Sequence, residues 1–315
     1  MTRFDFLGKA KFFAGLSALL FTASILVLVT IGLRPGIDFT GGLQLTVFYS
    51  PGTDLSNDAI RGYVEPLLAG TSPAPSLYIQ TVDGQRDIPN QGMTPVPGKI
   101  VTIQGATDEQ EDQLRLALTE PAADSGIPRP IEFSVTDIGA QVSREIVNRA
   151  WQAILIALGA MMVYIAWRFR LRYGVAAVVA LIHDVVITLG VFAVARLELN
   201  LPVIAGLLTV VGYSLNATII IFDRVRENVR TARKASLAEN INRAIEQTLT
   251  RTINTGATTL IPIIILFVFG GPPLRGFAVA MLMGVIAGTH SSLFVSNPIV
   301  YGWSLAADRA RARRR

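Results

Sequence analysis

Six long apolar runs divide the chain, and most of the polar sequence lies between the first run and the second. Each run approaches the roughly 20 residues that a helix needs to cross the hydrocarbon core of a bilayer. The runs are Phe12–Leu33, Ala150–Trp167, Gly174–Ala195, Leu201–Phe222, Ile253–Gly270 and Phe277–Leu305. The first exceeds the apolar region of a signal peptide and has no small-residue cleavage motif before Arg34, so it is interpreted as a membrane helix. The pattern therefore predicts an α-helical polytopic membrane protein with six transmembrane helices.

The long polar segment 36–147 has a different pattern, which is typical of a small α+β domain. It opens with Gly36-Ile37-Asp38-Phe39-Thr40-Gly41-Gly42, whose glycines allow a tight backbone path from the membrane helix into a strand. The order strand, helix, strand, strand, helix, strand predicts a ferredoxin-like external domain between spans one and two. The predicted strands are Leu43–Phe48, Ser76–Val82, Lys99–Gln104 and Ile131–Thr136. The first helix is capped by Asp54 or Ser56 and runs to Leu68. The second runs from the capping box formed by Thr107 and Gln110 to Leu118. The Gly- and Pro-rich stretch Asp83–Gly98 is predicted to be a mobile loop.

Composition supports a membrane protein. Only 16% of the residues are charged and the mean hydropathy is +0.46, whereas about 25% charged residues is usual in soluble domains. The chain has no cysteine, so disulfides and thiol chemistry are excluded.

The distribution of charge predicts how the chain is oriented in the membrane, because basic residues accumulate on the cytoplasmic side of membrane proteins. Segment 36–147 holds 15 acidic and 6 basic residues, and the rest of the chain holds 8 and 22. We expect a cytoplasmic N-terminus with the first span (1–35), a periplasmic domain (36–147), a five-helix region (148–305) with an amphipathic cytoplasmic link (223–247), and a basic cytoplasmic tail (306–315). The basic residues that carry this prediction are Arg3, Lys9, Lys11, Arg168, Arg170, Arg172, Arg224, Arg226, Arg230, Arg233, Lys234, Arg243, Arg309, Arg311, Arg313, Arg314 and Arg315.

The same charge distribution argues against nucleic-acid binding, although the sequence pI is about 9.7, because topology accounts for the excess of cations. The external segment has no His or Cys, and its two adjacent glycines lack the spacing of a phosphate-binding loop. No catalytic residues, metal or cofactor are therefore expected, and the chain is not predicted to be an enzyme.

Polar groups inside the spans are the candidate functional residues. His183 and Asp184 lie near the centre of the third span, where an ionised carboxylate costs at least about 2.5 kcal/mol. They are either packing groups that hydrogen-bond to a neighbouring helix or a protonatable site in a relay. Arg251 enters the fifth span with Thr255 on the same face; its guanidinium either snorkels to lipid phosphates or faces the polar cluster of span four. Gly284 and Gly288 have the small-xxx-small spacing of helix packing, and Gly212 and Asn216 have it loosely.

Several strings resemble the SecF family of protein-export subunits. They are the Asp38–Gly42 entry, Ser143-Arg144-Glu145 before span two, Ala-Leu-Ile-His-Asp-Val at 180–185, Gly212-Tyr213-Ser214-Leu215-Asn216-Ala217 followed by Asp223-Arg224, and Thr250-Arg251-Thr252. The family usually has Asp where this chain has Ala217. The resemblance implies a structural role for the glycine-rich entry, and it implies that Arg251 and Thr255 belong to a proton pathway whose titratable group is missing at position 217.

The resemblance also implies a fold of the resistance-nodulation-division superfamily in a bacterial inner membrane. It implies SecD, the SecYEG channel, YajC, unfolded exported polypeptides and membrane lipids as partners, and export assisted by the proton or sodium gradient. Two other functions stay open: a passive scaffold of the translocon, favoured by Ala217, and a small-molecule exporter, disfavoured because the external segment offers no apparent apolar cleft.

Overall fold

A computed structural model describes residues 4–70, 75–88, 92–232 and 235–313. Within these ranges, six segments are long and apolar enough to cross a membrane, as the sequence predicts. The chain divides into two compact units, residues 35–151 and residues 1–34 together with 152–315. Arg3, Arg233, Lys234, Arg314 and Arg315, which contribute to the orientation argument, lie outside the described residues.

Within the described residues, the helical unit is built from seven helices. The helices are α1 (Phe6–Thr30), α5 (Ala140–Arg168, shared with the other unit), α6 (Leu171–Val194), α7 (Leu201–Thr231), α8 (Leu237–Phe269), α9 (Gly271–Phe294) and α10 (Ser296–Ala312), and a two-residue strand β6 (Glu198–Leu199) joins α6 to α7. Helix α7 packs against α6, α8 and α9. Its contact with α9 depends on glycine: a Cβ atom at Gly284 would overlap the methyl groups of Val210, and one at Gly288 would lie 3.0 Å from the Cβ of Ser214. The predicted packing role of these two glycines is therefore confirmed. Gly212, by contrast, faces open space.

One prediction about the helices is wrong. The link 223–247 is not a separate helix along the membrane; instead α7 continues to Thr231, and α8 begins at Leu237 behind a Ser236/Glu239 capping box. The two extensions are tied together by Asn228 and Arg224, whose side chains both donate to the Gln247 Oε1 atom. The sixth predicted span lies within a candidate membrane segment, as expected, and consists of two helices, α9 and α10, with a break at Val295. There the Ser292 carbonyl accepts a hydrogen bond from the Asn297 amide at 2.7 Å.

The other unit is the predicted ferredoxin-like domain. After a two-residue strand β1 (Arg34–Pro35) and a short helix α2 (Ile37–Thr40), it contains β2 (Gly42–Phe48), α3 (Asn57–Val64), a 3₁₀ turn (Glu65–Leu68), β3 (Ser76–Ile88), β4 (Gly92–Gln104), α4 (Asp108–Thr119) and β5 (Glu132–Ile138). The sheet order is β3-β4-β2-β5 with antiparallel neighbours. Its core is formed by residues such as Leu45, Ile60, Val101, Leu114 and Leu118.

The stretch predicted to be a mobile loop is a β-hairpin. Asp83 pairs with Pro97 and Ile88 with Gly92, so β3 and β4 are each 13 residues long. The extension packs on Phe48, whose ring lies against Gly84 and Gly98 so closely that a Cβ atom at either glycine would clash with it. Glycine, which indicates loops in a sequence, is accommodated in these strands because the Phe48 ring fills the space beside Gly84 and Gly98.

Candidate functional site

Asp184 is the centre of a hydrogen-bonded cluster inside the helical unit. Its side chain is completely buried. The Oδ2 atom accepts hydrogen bonds from Ser214 Oγ on α7 at 2.6 Å and from Ser291 Oγ on α9 at 2.7 Å. The Oδ1 atom lies 3.0 Å from His183 Nδ1. One carboxyl group therefore joins three helices, and three neighbours offset the cost of removing it from water.

The two histidines of the chain lie side by side next to this cluster. The ring centroids of His183 and His290 are 6.4 Å apart, with nearly parallel planes. The Nε2 atoms of both rings are buried and have no hydrogen-bond partner among the described residues. Because His183 directs Nδ1 toward Asp184, Nε2 is the ring nitrogen left without a partner among the described residues.

An apolar cavity of about 570 Å³ adjoins His183 between α1, α6 and the α9–α10 break. Its lining includes Ser17, Phe21, Phe294 and Pro298. The Ser17 hydroxyl is also buried without a partner among the described residues. The cavity therefore brings two unpaired polar groups to an otherwise apolar space beside the Asp184 cluster.

His290 and Ser291 are absent from the sequence-based site, although the polar run Thr289-His290-Ser291-Ser292 interrupts the sixth apolar segment. That run is a usable signal, because polar groups within a membrane segment usually face the protein interior. Nothing in the spacing indicates that Ser291 bonds to Asp184, since the two residues are 107 positions apart.

Four of the predicted coupling residues form no hydrogen bond with the Asp184 side chain among the described residues, namely Asn216, Ala217, Arg251 and Thr255. Ala217 is buried on α7, one turn after Ser214, whereas Asn216, Arg251 and Thr255 are exposed. The Arg251 guanidinium has no hydrogen bond or ion pair with any residue in the described ranges, so it does not meet the polar groups of span four within this chain. Thr252, next to it, is buried with an unpaired hydroxyl.

The antiparallel helices α7 and α8 place these residues at neighbouring depths. Arg224 Nε donates to Gln247 Oε1 at 2.7 Å, and farther along the pair the Tyr213 hydroxyl lies 3.4 Å from the position of a Cβ atom at Gly256. Ala217 lies between Tyr213 and Arg224 along α7, and Arg251 lies between Gln247 and Gly256 along α8. A helix rises about 1.5 Å per residue, so Ala217 and Arg251 are within about one turn of each other in depth.

Two further motif residues stabilise the ends of the helices. Asp223 forms an ion pair with Arg168 of α5, with Nη2 at 3.0 Å from Oδ1. Arg224 bonds to Gln247, as described, and to Glu227 at 2.6 Å. These charges sit outside the Asp184 cluster.

The glycine-rich entry has a backbone that requires glycine. Gly41 and Gly42 have φ angles of 74° and 128°, and a Cβ atom at Gly42 would overlap the Ile103 carbonyl oxygen. Gly36 caps the short helix α2, within which lie Asp38 and Phe39, and the Thr40 hydroxyl donates to the Gly36 carbonyl at 3.2 Å. The motif therefore shapes the turn into β2.

A pocket lined by acidic residues lies beside this turn, between β5 and α4. Burial, reinforced by the neighbouring Asp137, Asp108 and Asp112 carboxylates, raises the pKa of Glu111 to about 7. An acid with a raised pKa destabilises the fold as it ionises, so the domain loses stability as pH rises through about 7.

The fold and the buried polar cluster define a multi-pass membrane protein of the transport class. The family description "Protein export membrane protein SecD/SecF, C-terminal" matches residues 127–306, and "SecD/SecF GG Motif" matches residues 26–51. The chain belongs to the SecD/SecF family, as a SecF-type member.

Its relatives include the protein translocase subunits SecF of Petrotoga mobilis, 35% identical over 96% of both chains, and of Desulfurispirillum indicum, 38% identical over 95% of this chain and 91% of the other. The crystal structure of SecDF from Thermus thermophilus superposes with a TM-score of 0.79 and 33% identity, covering 96% of this chain and 39% of that one.

Proposed function

We propose that the chain is the SecF subunit of a SecD–SecF complex that uses an ion gradient to assist protein export through the SecYEG channel. The observation that carries the coupling role is the fully buried Asp184, which three polar neighbours on three helices contact. A carboxyl group at this depth alternates between charged and neutral forms only when a proton reaches it. Proton arrival would change its bonds to Ser214 and Ser291, and hence the contacts among α6, α7 and α9.

SecD is the proposed direct partner. In Thermus thermophilus the two subunits form one chain, SecDF, of which this chain matches 38%. The exposed polar face of α7 and α8, with Asn216, Arg251 and Thr255, requires polar partners if it faces another protein inside the membrane. YajC, exported polypeptides and surrounding lipids belong to the same proposal. A 1:1 complex is expected, and purified chain that supports export without SecD would contradict it.

A passive scaffold is the second candidate, because Ala217 leaves the polar face without its carboxylate. In that function the chain holds SecD and the channel together, and ion flow runs elsewhere. The two candidate functions predict different proton fluxes through the purified SecD complex in vesicles. A coupling subunit predicts a flux that depends on this chain, and a scaffold predicts no such flux.

Ala217→Asp is expected to increase gradient-dependent export and proton flux severalfold. A carboxylate at this buried position would lie within about one turn in depth of Arg251, and an Arg–Asp pair that opens on protonation is a two-state switch. Both activities are measured in vesicles containing the SecD complex. Ala217→Asn is the control, since asparagine has the same shape as aspartate but carries no charge. Equal export and proton flux for the unmodified chain and the Ala217→Asp variant would show that position 217 takes no part in ion coupling.

The proposed orientation places both termini in the cytoplasm and segment 36–147 in the periplasm. Single cysteines at Pro51 and Arg170 should then label differently with an impermeant thiol reagent: position 51 from outside the cell, and position 170 only after the membrane is opened. The native chain has no cysteine to react. Labelling of position 170 in intact cells would contradict the proposed orientation.

A further inference from the structure

A strongly basic pocket lies where α5 ends, α6 begins and α7 leaves the apolar region. Its volume is about 380 Å³, and its lining contains Arg168, Arg170, Arg172, Arg226 and Arg230 but no acidic residue among the described ones. We propose that this pocket binds the phosphodiester headgroup of an anionic phospholipid. The proposal goes beyond the export function and does not depend on ion coupling.

Two of the arginines are held in place by the protein. Arg168 is paired with Asp223. Arg172 donates through Nη1 to Ser304 Oγ at 3.0 Å and lies 5.1 Å from the centre of the Tyr173 ring. The Arg172 Nε atom is buried and has no hydrogen-bond partner among the described residues. A buried guanidinium nitrogen without an acceptor is costly, and a phosphate oxygen is the acceptor that matches its geometry.

The other three arginines are uncompensated. Arg170, Arg226 and Arg230 are exposed and form neither a hydrogen bond nor an ion pair with the described residues. Among the described residues, Arg168 is therefore the one guanidinium group of the five that is neutralised by a carboxylate. The four remaining cations, concentrated around one concave space, attract an anion more strongly than the same charges spread over a surface.

The surroundings of the pocket favour a lipid over a soluble anion. Trp167, at its edge, is 83% exposed, and tryptophan on the outside of a membrane helix end is typical of the headgroup level. Phe222 and Phe169 line its inner side. Basic pockets between membrane helices at this level bind anionic headgroups, and the acyl chains would lie along the apolar outer face of α5.

The test uses the fluorescence of Trp167. In a Trp151→Phe/Trp303→Phe background, Trp167 is the remaining tryptophan, and both replaced side chains are exposed. The purified chain in detergent micelles is titrated with brominated phosphatidylglycerol or brominated phosphatidylcholine, which quench tryptophan on contact. We expect phosphatidylglycerol to reach half-maximal quenching at a concentration at least fivefold lower.

The triple variant Arg170→Gln/Arg226→Gln/Arg230→Gln should remove this preference, since each basic residue near a membrane surface contributes roughly fivefold to anionic-lipid binding. The matched control is Arg309→Gln/Arg311→Gln/Arg313→Gln, which removes the same charge from the exposed basic tail and should keep the preference. Gel filtration and helicity are compared for both, so that a misfolded variant is recognised.

Three outcomes would overturn the proposal. Equal quenching by the two lipids, or an equal loss of preference in both triple variants, would mean that the arginines act only as a diffuse charge. Displacement of the brominated lipid by inorganic phosphate or glycerol phosphate at millimolar concentration would assign the pocket to a soluble anion. None of these results measures proton flux, so the lipid site can be rejected without rejecting the export function, and the reverse also holds.

Discussion

Asp184→Asn is expected to lower proton flux and gradient-dependent export at least tenfold while leaving the chain folded. Asparagine has the size of aspartate and keeps an oxygen that accepts from Ser214 or Ser291, but it does not titrate. The flux is measured in vesicles containing the complex with SecD. The matched variant Ser291→Ala removes one of the three contacts but keeps the carboxyl group, and it should retain a substantial part of the flux.

A third variant separates coupling from packing. Asp184→Leu leaves the buried Ser214 hydroxyl without its acceptor, at a cost of about 1–3 kcal/mol, whereas Ser291 keeps the Gly288 carbonyl at 3.3 Å. The variant should therefore lower both stability and flux. If Asp184→Asn retains full flux and only Asp184→Leu is impaired, the carboxyl group is a helix-packing contact and the scaffold function gains.

Gly284→Ala is expected to destabilise the helical unit by about 1–3 kcal/mol, the usual cost of overpacking a tight contact. The new methyl group would overlap Val210 across the contact between α7 and α9. The free energy of unfolding is measured by titration with sodium dodecyl sulfate in mixed micelles. Because Val210→Ala makes room for the added methyl group, the double variant should be more stable than the sum of the two single effects predicts.

Gly212→Ala is the matched control for that experiment. A Cβ atom at Gly212 meets no atom within 4 Å, and alanine is a better helix former than glycine, so the free energy of unfolding of the isolated chain should stay the same or rise by up to about 1 kcal/mol. A destabilisation by Gly212→Ala as large as that by Gly284→Ala would show that the close approach to Val210 does not determine the result.

Hydropathy and turn chemistry predict most of the fold because each signal is local. Six apolar runs become six spans, and the capping residues Ser56 and Thr107 start the helices of the small domain as predicted. The failures occur where long-range packing overrides a local signal. The hairpin at 83–98 depends on Phe48, which lies far away in sequence, and the extension of α7 and α8 depends on side-chain bonds to Gln247.

The residues of the candidate site are likewise predictable only where their signal in the sequence is local. His183 and Asp184 stand out in the sequence because charge inside an apolar run is rare. Their contacts with Ser214 and Ser291 arise only when α6, α7 and α9 pack together. The interpretation of Arg251 as a partner of the span-four polar groups stays a prediction, because its side chain is exposed and forms no hydrogen bond or ion pair with the described residues.

The depth of Asp184 has an electrical consequence. It lies 13 residues from Leu171 and 10 from Val194, the two ends of α6, and is therefore near the middle of this candidate membrane span. Moving one elementary charge across the whole membrane releases about 2.3 kcal/mol per 100 mV, so a proton that stops at Asp184 has used about half of that amount. The membrane voltage would then drive both the loading and the release of the site, and a voltage applied without any pH difference should be sufficient to cycle it.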